Sequence, residues 1–313
     1  MTDNDITPET TIVVTGPTRG LGLEMTRSLI EQAKGIDVVL VGRTSAAMER
    51  IRSEVAIAGS RPHVVACDFA DLARVLAAST SIASLVAAGS IPPISGLVAN
   101  AGIQTVDRLH TTAQGFELTF GVNVLAQHLF ITDLLASCQA GARVIIVGSG
   151  THRNDRKPGL VALPRWEEPD ELSQPGIGED ASSPEAGQRA YATSKLCVNY
   201  LVHELDRRHG DSVVALVYDP GMMPGTGLAR DMSVAKRFAW EKVMPRLNLP
   251  GSSTPKRSGT VMAAMALGHQ LAEVGGGYVD IDLMGQPSDE SFNQERESAL
   301  WDGCTALARP AVS

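Results

Sequence analysis

Thr11-Ile12-Val13-Val14-Thr15-Gly16-Pro17-Thr18-Arg19-Gly20-Leu21-Gly22 is the stretch whose reading decides the fold of this chain. Its first five residues are a short β-branched apolar run, the pattern of a strand buried on both faces. Glycines then follow as G-x-x-x-G-x-G. Beyond them Leu23, Met25, Leu29 and Ile30 recur at helical spacing up to Gly35. A strand that turns through glycines into a helix gathers backbone N–H groups and the positive end of the helix dipole at one point, where a pyrophosphate can be held. The spacing differs from the G-x-G-x-x-G dinucleotide fingerprint. A plain α/β turn is the alternative for an isolated match, and the strand–loop–helix context at the first βα unit favours nucleotide binding.

The rest of the chain repeats the alternation. Strands are expected at Asp37–Gly42, His63–Cys67, Ile94–Ala99, Arg143–Val147 and Ser212–Tyr218, with Gly277–Asp280 as the last. Helical patterns fill Ser45–Ala58, Leu72–Ala88, Thr112–Cys138 (broken around Gly121), a run starting near Tyr191, Lys236–Arg246, Arg257–Gly268 and Asn293–Leu307. Short strands alternating with longer helices predict an α/β fold: a single Rossmann-type doubly wound domain, a parallel sheet flanked by helices. Residues 1–10 read as a flexible tail and 11–313 as the domain. A long insertion at about 150–186 is rich in Pro, Gly, Asp and Glu, and is either a substrate-side wall or a disordered surface segment.

Composition excludes several classes. With 313 residues, 43% apolar, a mean hydropathy of +0.02, a net charge of −8 and a pI of 5.4, the expectation is a soluble protein whose partner is neither a nucleic acid nor an anionic membrane. No run approaches the roughly 20 apolar residues of a membrane span. The acidic start, Met1-Thr2-Asp3, is unlike a secretory signal. Cys67, Cys138, Cys197 and Cys304 lack metal-ligand spacing, so reduced thiols, a cytoplasmic location and no metal are expected.

Tyr191-Ala192-Thr193-Ser194-Lys195 puts a phenol and an ammonium one helical turn apart. Lowering a tyrosine from ~10 to ~7 takes roughly 4 kcal/mol. One positive charge at about 4 Å and an effective dielectric of ~20 supplies that much. The spacing is common on solvated helices, so other residues must decide whether it is chemistry.

They do so in a fixed order along the chain. Together with the glycine loop, Tyr191 and Lys195 resemble the short-chain dehydrogenase/reductase family over about Thr11 to Val279. Asp68 in Cys67-Asp68-Phe69 resembles the family's adenine-binding residue. Ala99-Asn100-Ala101-Gly102 resembles its Asn-Asn-Ala-Gly, with alanine replacing the first asparagine. Asn123 matches the catalytic asparagine and Ser149 the catalytic serine, while Pro220-Gly221 with Thr226 resembles the segment closing over the nicotinamide. Gly42-Arg43-Thr44, Gly115-Phe116-Glu117-Leu118, Ser194-Lys195-Leu196-Cys197, Gly225-Thr226-Gly227-Leu228 and Leu300-Trp301 are similar to the retinol-dehydrogenase and protochlorophyllide-reductase branch.

The resemblance implies hydride transfer between nicotinamide C4 and a carbonyl/alcohol carbon. Tyr191 would be the general acid/base, Ser149 a donor to the substrate oxygen, Lys195 the group that binds the ribose and lowers the tyrosine pKa, and Asn123 the holder of a water. The implied cofactor site comprises Gly16, Thr18, Arg19, Gly20, Leu21, Gly22, Arg43, Asp68, Phe69, Asn100, Ala101, Gly102, Tyr191, Lys195, Pro220, Gly221, Met223 and Thr226. The second strand ends in Arg43 without a carboxylate and Arg19 sits in the glycine loop, so NADP is expected over NAD. The small-molecule substrate is expected to be apolar or polycyclic. Trp166, Met222, Met223, Phe238 and Trp240 are candidates for its pocket or for the core, and His152 for the substrate side or a polar loop. Carbon–carbon double-bond reduction is the second enzymatic reading and a non-catalytic NADP(H) sensor the rival class. Pairing through the Tyr191 helix into a homodimer or homotetramer is the family-based expectation.

Overall fold

The structure, a computed structural model, describes residues 10–155, 162–178, 180–223, 251–271 and 275–312. Strands Thr11–Thr15 (β1), Asp37–Gly42 (β2), Arg61–Ala66 (β3), Ile94–Ala99 (β4), Cys138–Val147 (β5), Val213–Asp219 (β6), Gly277–Asp280 (β7) and Leu283–Gly285 (β8) form one sheet. Their order is β3-β2-β1-β4-β5-β6-β7-β8. All neighbours are parallel except β8, which runs antiparallel to β7.

The α-helices among the described residues are Gly20–Gln32 (α1), Ala46–Ile57 (α2), Leu72–Ala87 (α3), Leu118–Phe120 (α4), Ala126–Leu134 (α5), Pro169–Leu172 (α6), Pro184–His209 (α7), Pro255–Ala266 (α8) and Gln294–Ala308 (α9). Strand periodicity divides the core into two layers. Val13 and Val39 face α3, α5, α7 and α9. Ile12, Val14 and Val38 face α1, α2 and α8. Gly259 lets α8 close on α1, since a Cβ there would lie 2.6 Å from the Met25 amide. The order of strands reverses between β1 and β4, which opens the crevice where doubly wound sheets bind ligands.

Several boundaries differ from the sequence reading. The helical pattern expected from Thr112 begins at Leu118, where the buried Glu117 carboxylate accepts from the Thr119 and Phe120 amides. Gly121–Leu125 is then a π-turn before α5, as the break at Gly121 suggested. The Tyr191 helix starts at Pro184, with Ser183 capping the Ala186 amide. Strand β5 starts at Cys138, and β8 is an edge strand too short and exposed to leave a pattern. Leu118–Ser137 is long and apolar enough to cross a membrane, but 78% of its apolar window is buried inside the fold. The expected helix 236–246, with Thr226, Phe238 and Trp240, lies outside the described residues.

Candidate active site

The glycine loop is built around two left-handed turns and one close approach. Gly16 has φ +66° and Gly20 φ +53°, conformations that glycine adopts without strain. Gly22 is helical but has no room for a side chain: an added Cβ would lie 2.5 Å from Asn100 Nδ2 and closer still to the Gly16 carbonyl. Asn100 is the tether, donating from Nδ2 to Thr15 O at 2.9 Å and Gly16 O at 3.2 Å. Thr15 Oγ1 accepts from the Asn100 and Ala101 amides at 2.9 and 2.8 Å. These bonds lock the ends of β1 and β4 together across the crevice.

Helix α1 starts without a capping side chain or an acidic residue in its first turn. By contrast α2, α3, α7, α8 and α9 are capped by Ser45, Asp71, Ser183, Thr254 and Asn293. First-turn amides have no helical acceptor, so those of α1 are available to an anion. Beside them, at the tips of β2 and β3, Arg43, Thr44, Asp68, Asp71 and Arg74 line a cavity of about 440 Å³. Arg19 and Arg43 are exposed and ion-pair with no described residue. Asp68 accepts from the Ala70 amide at 3.1 Å, whereas the Phe69 ring turns into the core, edge-on to Phe130.

Strand β5 and helix α7 bring Ser149, Tyr191 and Lys195 together. Ser149 caps the turn after β5 and accepts from the Thr151 amide at 3.3 Å. Lys195 is only 6% exposed. Its Nζ donates to Val147 O at 2.8 Å and lies 5.5 Å from the centre of the Tyr191 ring. Asn123, 2% exposed, donates to Ile103 O at 2.8 Å and Ser194 Oγ at 3.0 Å and accepts from the Ile103 amide at 2.8 Å. Its side chain is therefore committed, and a water could be held only by its main chain, in the π-turn where the regular i→i−4 ladder is interrupted.

The electrostatics correct the simple lysine argument. Burial pushes the Tyr191 phenol up to about 12; the Ser149 hydroxyl, hydrogen-bonding to it, works in the opposite direction, and the Asp219 charge adds to the rise. Burial pushes Lys195 down to about 8, opposed by Asp219. Desolvation dominates both groups: it disfavours the phenolate, and it equally disfavours the ammonium that was expected to stabilise that phenolate.

Behind this cluster lie two residues that escaped the sequence reading, Asp219 and Tyr278, and one whose two expected readings are both corrected. His152, expected on the substrate side or in a polar loop, is fully buried. Its Nδ1 is 2.8 Å from Ser149 O, and its Nε2 accepts from the Ser288 amide at 3.1 Å. Tyr278 packs against the His152 ring at 5.3 Å and donates to Asp219 Oδ2 at 2.6 Å. Asp219 Oδ1 accepts from the Gly221 amide at 3.0 Å. The available signal was a carboxylate ending an apolar strand directly before Pro220-Gly221.

The insertion is partly anchored. Arg165 N donates to Thr193 Oγ1 at 3.0 Å, and Thr193 Oγ1 donates back to Arg165 O at 3.2 Å. Trp166 lies edge-on to Tyr200, so it is an anchor against α7. Met223 is buried in the core beside α8.

A doubly wound sheet with an uncapped helix at its switch point and a serine–tyrosine–lysine cluster beside it defines an NAD(P)-dependent oxidoreductase. The chain belongs to the short-chain dehydrogenase/reductase family, in the branch that includes retinol dehydrogenases and protochlorophyllide reductases. The family model described as short chain dehydrogenase matches residues 10–160. The chain is 30% identical to a polyprenol dehydrogenase of Danio rerio, over 94% of this chain and 85% of that one. It is 28% identical to protochlorophyllide reductase A, chloroplastic, of Arabidopsis thaliana, over 93% and 75%. Among solved structures it resembles a blue fluorescent protein from a metagenomic library in complex with NADPH, with a TM-score of 0.60 and 25% identity over 86% of this chain and 95% of that one.

Proposed function

We propose that this enzyme uses NADP to move a hydride between the nicotinamide and a carbonyl/alcohol carbon of an apolar substrate. Tyr191, Ser149, Lys195 and Asn123 are its catalytic residues. Gly16, Thr18, Arg19, Gly20, Leu21, Gly22, Arg43, Asp68, Asn100, Ala101, Gly102, Pro220 and Gly221 border its cofactor. The observation that carries the reading is the convergence of Ser149, Tyr191 and Lys195 at the C-terminal ends of the strands. The uncapped amides of α1, the open space over Gly20 and the cavity holding Arg43 and Asp68 fit an anionic dinucleotide. Arg43 in that cavity and Arg19 in the glycine loop, neither ion-paired with a described residue, fit a 2′-phosphate.

The cofactor, when bound, supplies or takes the hydride. Tyr191 is a neutral phenol at pH 7, the form that donates a proton to a developing alkoxide. Ser149 aims a second donor at the same oxygen. Lys195, mostly an ammonium at pH 7, holds positive charge beside the phenol as its proton leaves. An apolar substrate is supported by the polyprenol and protochlorophyllide named in the relatives, and by exposed Val106 and Leu109 on the loop following β4.

The test is a panel of apolar ketones, alcohols and enones followed by NADPH absorbance, run on the parent and Tyr191→Phe. The expected result is carbonyl turnover that falls at least about a hundredfold in the variant while NADPH still quenches tryptophan fluorescence. Turnover that survives the substitution refutes the assignment of Tyr191. Turnover of enones alone would move the reading to carbon–carbon reduction.

A further inference from the structure

We propose that Asp219 is a positioning residue of this active site: its buried carboxylate, held by Tyr278 and the Gly221 amide, is the counter-charge that keeps Lys195 an ammonium beside Tyr191. The inference rests on the proposed roles of Tyr191 and Lys195 and adds a fifth side chain to their machinery.

Topology supplies the first part of the argument. The Lys195 ammonium sits on the carbonyl of Val147, and Val147 pairs in register with Tyr218, the residue before Asp219. Asp219 projects to the face opposite Tyr218, which is the face covered by α7. Val217 and Tyr278 lie in that same layer, against Leu196 and Tyr200. Carboxylate and ammonium therefore occupy the ends of neighbouring strands under one helix.

Chemistry supplies the second part. Asp219 is 5% exposed. Its two oxygens accept from the Tyr278 hydroxyl and the Gly221 amide at 2.6 and 3.0 Å, and neither donor carries a charge. A buried carboxylate held by neutral donors needs a cation nearby. Its field acts on both Lys195 and Tyr191, in each case favouring the protonated form. Among the described residues, the other charged or titratable groups coupled to this carboxylate or its neighbours are Tyr218 beside it on β6, His152 and Arg153 in the turn after β5, Tyr278 and Asp280 on β7, and Asp282 beyond it. Arg153 bonds the Gln286 carbonyl and pairs with Asp155. The carboxylate also fixes the Pro220–Gly221 turn: Gly221 takes φ +74°, and Ser258 Oγ donates to Pro220 O at 2.8 Å from the other side. One side chain thus couples the charge of Lys195 to the start of the segment that follows β6.

The experiment reads Lys195 directly in cofactor-free protein. Carbon-13-labelled lysine would be titrated by NMR in the parent, Asp219→Asn, Asp219→Ser and Tyr278→Phe, with Lys195→Arg assigning the signal and circular dichroism checking the fold. Both charge-removing variants are expected to move the Lys195 midpoint down by at least about one pH unit, tenfold in the equilibrium. Tyr278→Phe keeps the charge and should leave the midpoint within about 0.3 units. An unshifted midpoint in a folded Asp219 variant overturns the proposal, whatever the substrate proves to be. A parent that turns over no substrate would instead count against the proposed reaction and leave the titration interpretable. In the catalytic pH profile, the limb governed by the Tyr191–Lys195 pair should shift downward in Asp219→Asn; a loss of kcat at every pH with no movement of that limb would assign Asp219 a structural role only.

Discussion

Replacing Gly22 by alanine tests whether the close approach of β1, β4 and α1 is what shapes the nucleotide loop. The new Cβ would sit 2.5 Å from Asn100 Nδ2 and nearer to the Gly16 carbonyl, so the backbone of the loop has to move. Overpacking of this kind costs about 1–3 kcal/mol. Displacing Asn100 also weakens its bonds to Thr15 O and Gly16 O, at about 0.5–1.5 kcal/mol each. Against this, alanine gains about 1 kcal/mol over glycine as a helix former. The net expectation is a destabilisation of about 1–5 kcal/mol, seen as a lower urea midpoint at unchanged slope. NADPH affinity should weaken at least tenfold, about 1.4 kcal/mol, measured by tryptophan quenching. Gly35→Ala is the control, since its φ is +73° with open space around it and it lies at the far end of α1. It should lose stability through backbone strain, about 1–2 kcal/mol, without touching affinity. A Gly22→Ala protein that binds NADPH as tightly as the parent would refute the reasoning.

Other consequences are open to measurement. Arg43→Asp should weaken NADPH binding more than tenfold while NADH binding weakens little or improves; equal losses for both would remove the 2′-phosphate argument. His128 is buried and its pKa is pushed down to about 3, so between that value and about 6.5 the unfolded chain binds a proton that the folded one does not. Stability therefore falls as pH drops through that window, by about 2 kcal/mol between pH 7 and pH 5. Urea unfolding of His128→Gln should lose that part of the pH dependence, and an identical dependence would mean that His128 is not its source. Helix α9 lies on α7, burying Leu300, Trp301 and Cys304, with Arg208 paired to Asp302 at 3.0 Å. Pairing of two copies through α7 would need α9 to move away, so light scattering should report a monomer or a dimer that Trp301→Glu does not dissociate.

The main strand positions and the doubly wound fold were legible in the chain itself, as was the set of residues proposed to react. Those signals are local: a β-branched run of five, a helical period in α1, a tyrosine and a lysine one turn apart. The Ser183-Pro184-Glu185 start of α7 was also written there, as a cap followed by proline and an acid, inside a polar stretch that otherwise reads as irregular. What the tertiary structure alone decided is the environment of those residues. His152 is buried by the Ser288 amide 136 positions away, and Asp219 meets the Tyr278 hydroxyl 59 positions away. No local pattern encodes either contact. The Tyr191 phenol is raised because burial outweighs the Ser149 hydrogen bond, with the Asp219 charge adding to the rise. Periodicity and spacing say which groups share a turn, whereas desolvation and counter-charge depend on what the rest of the fold packs around them.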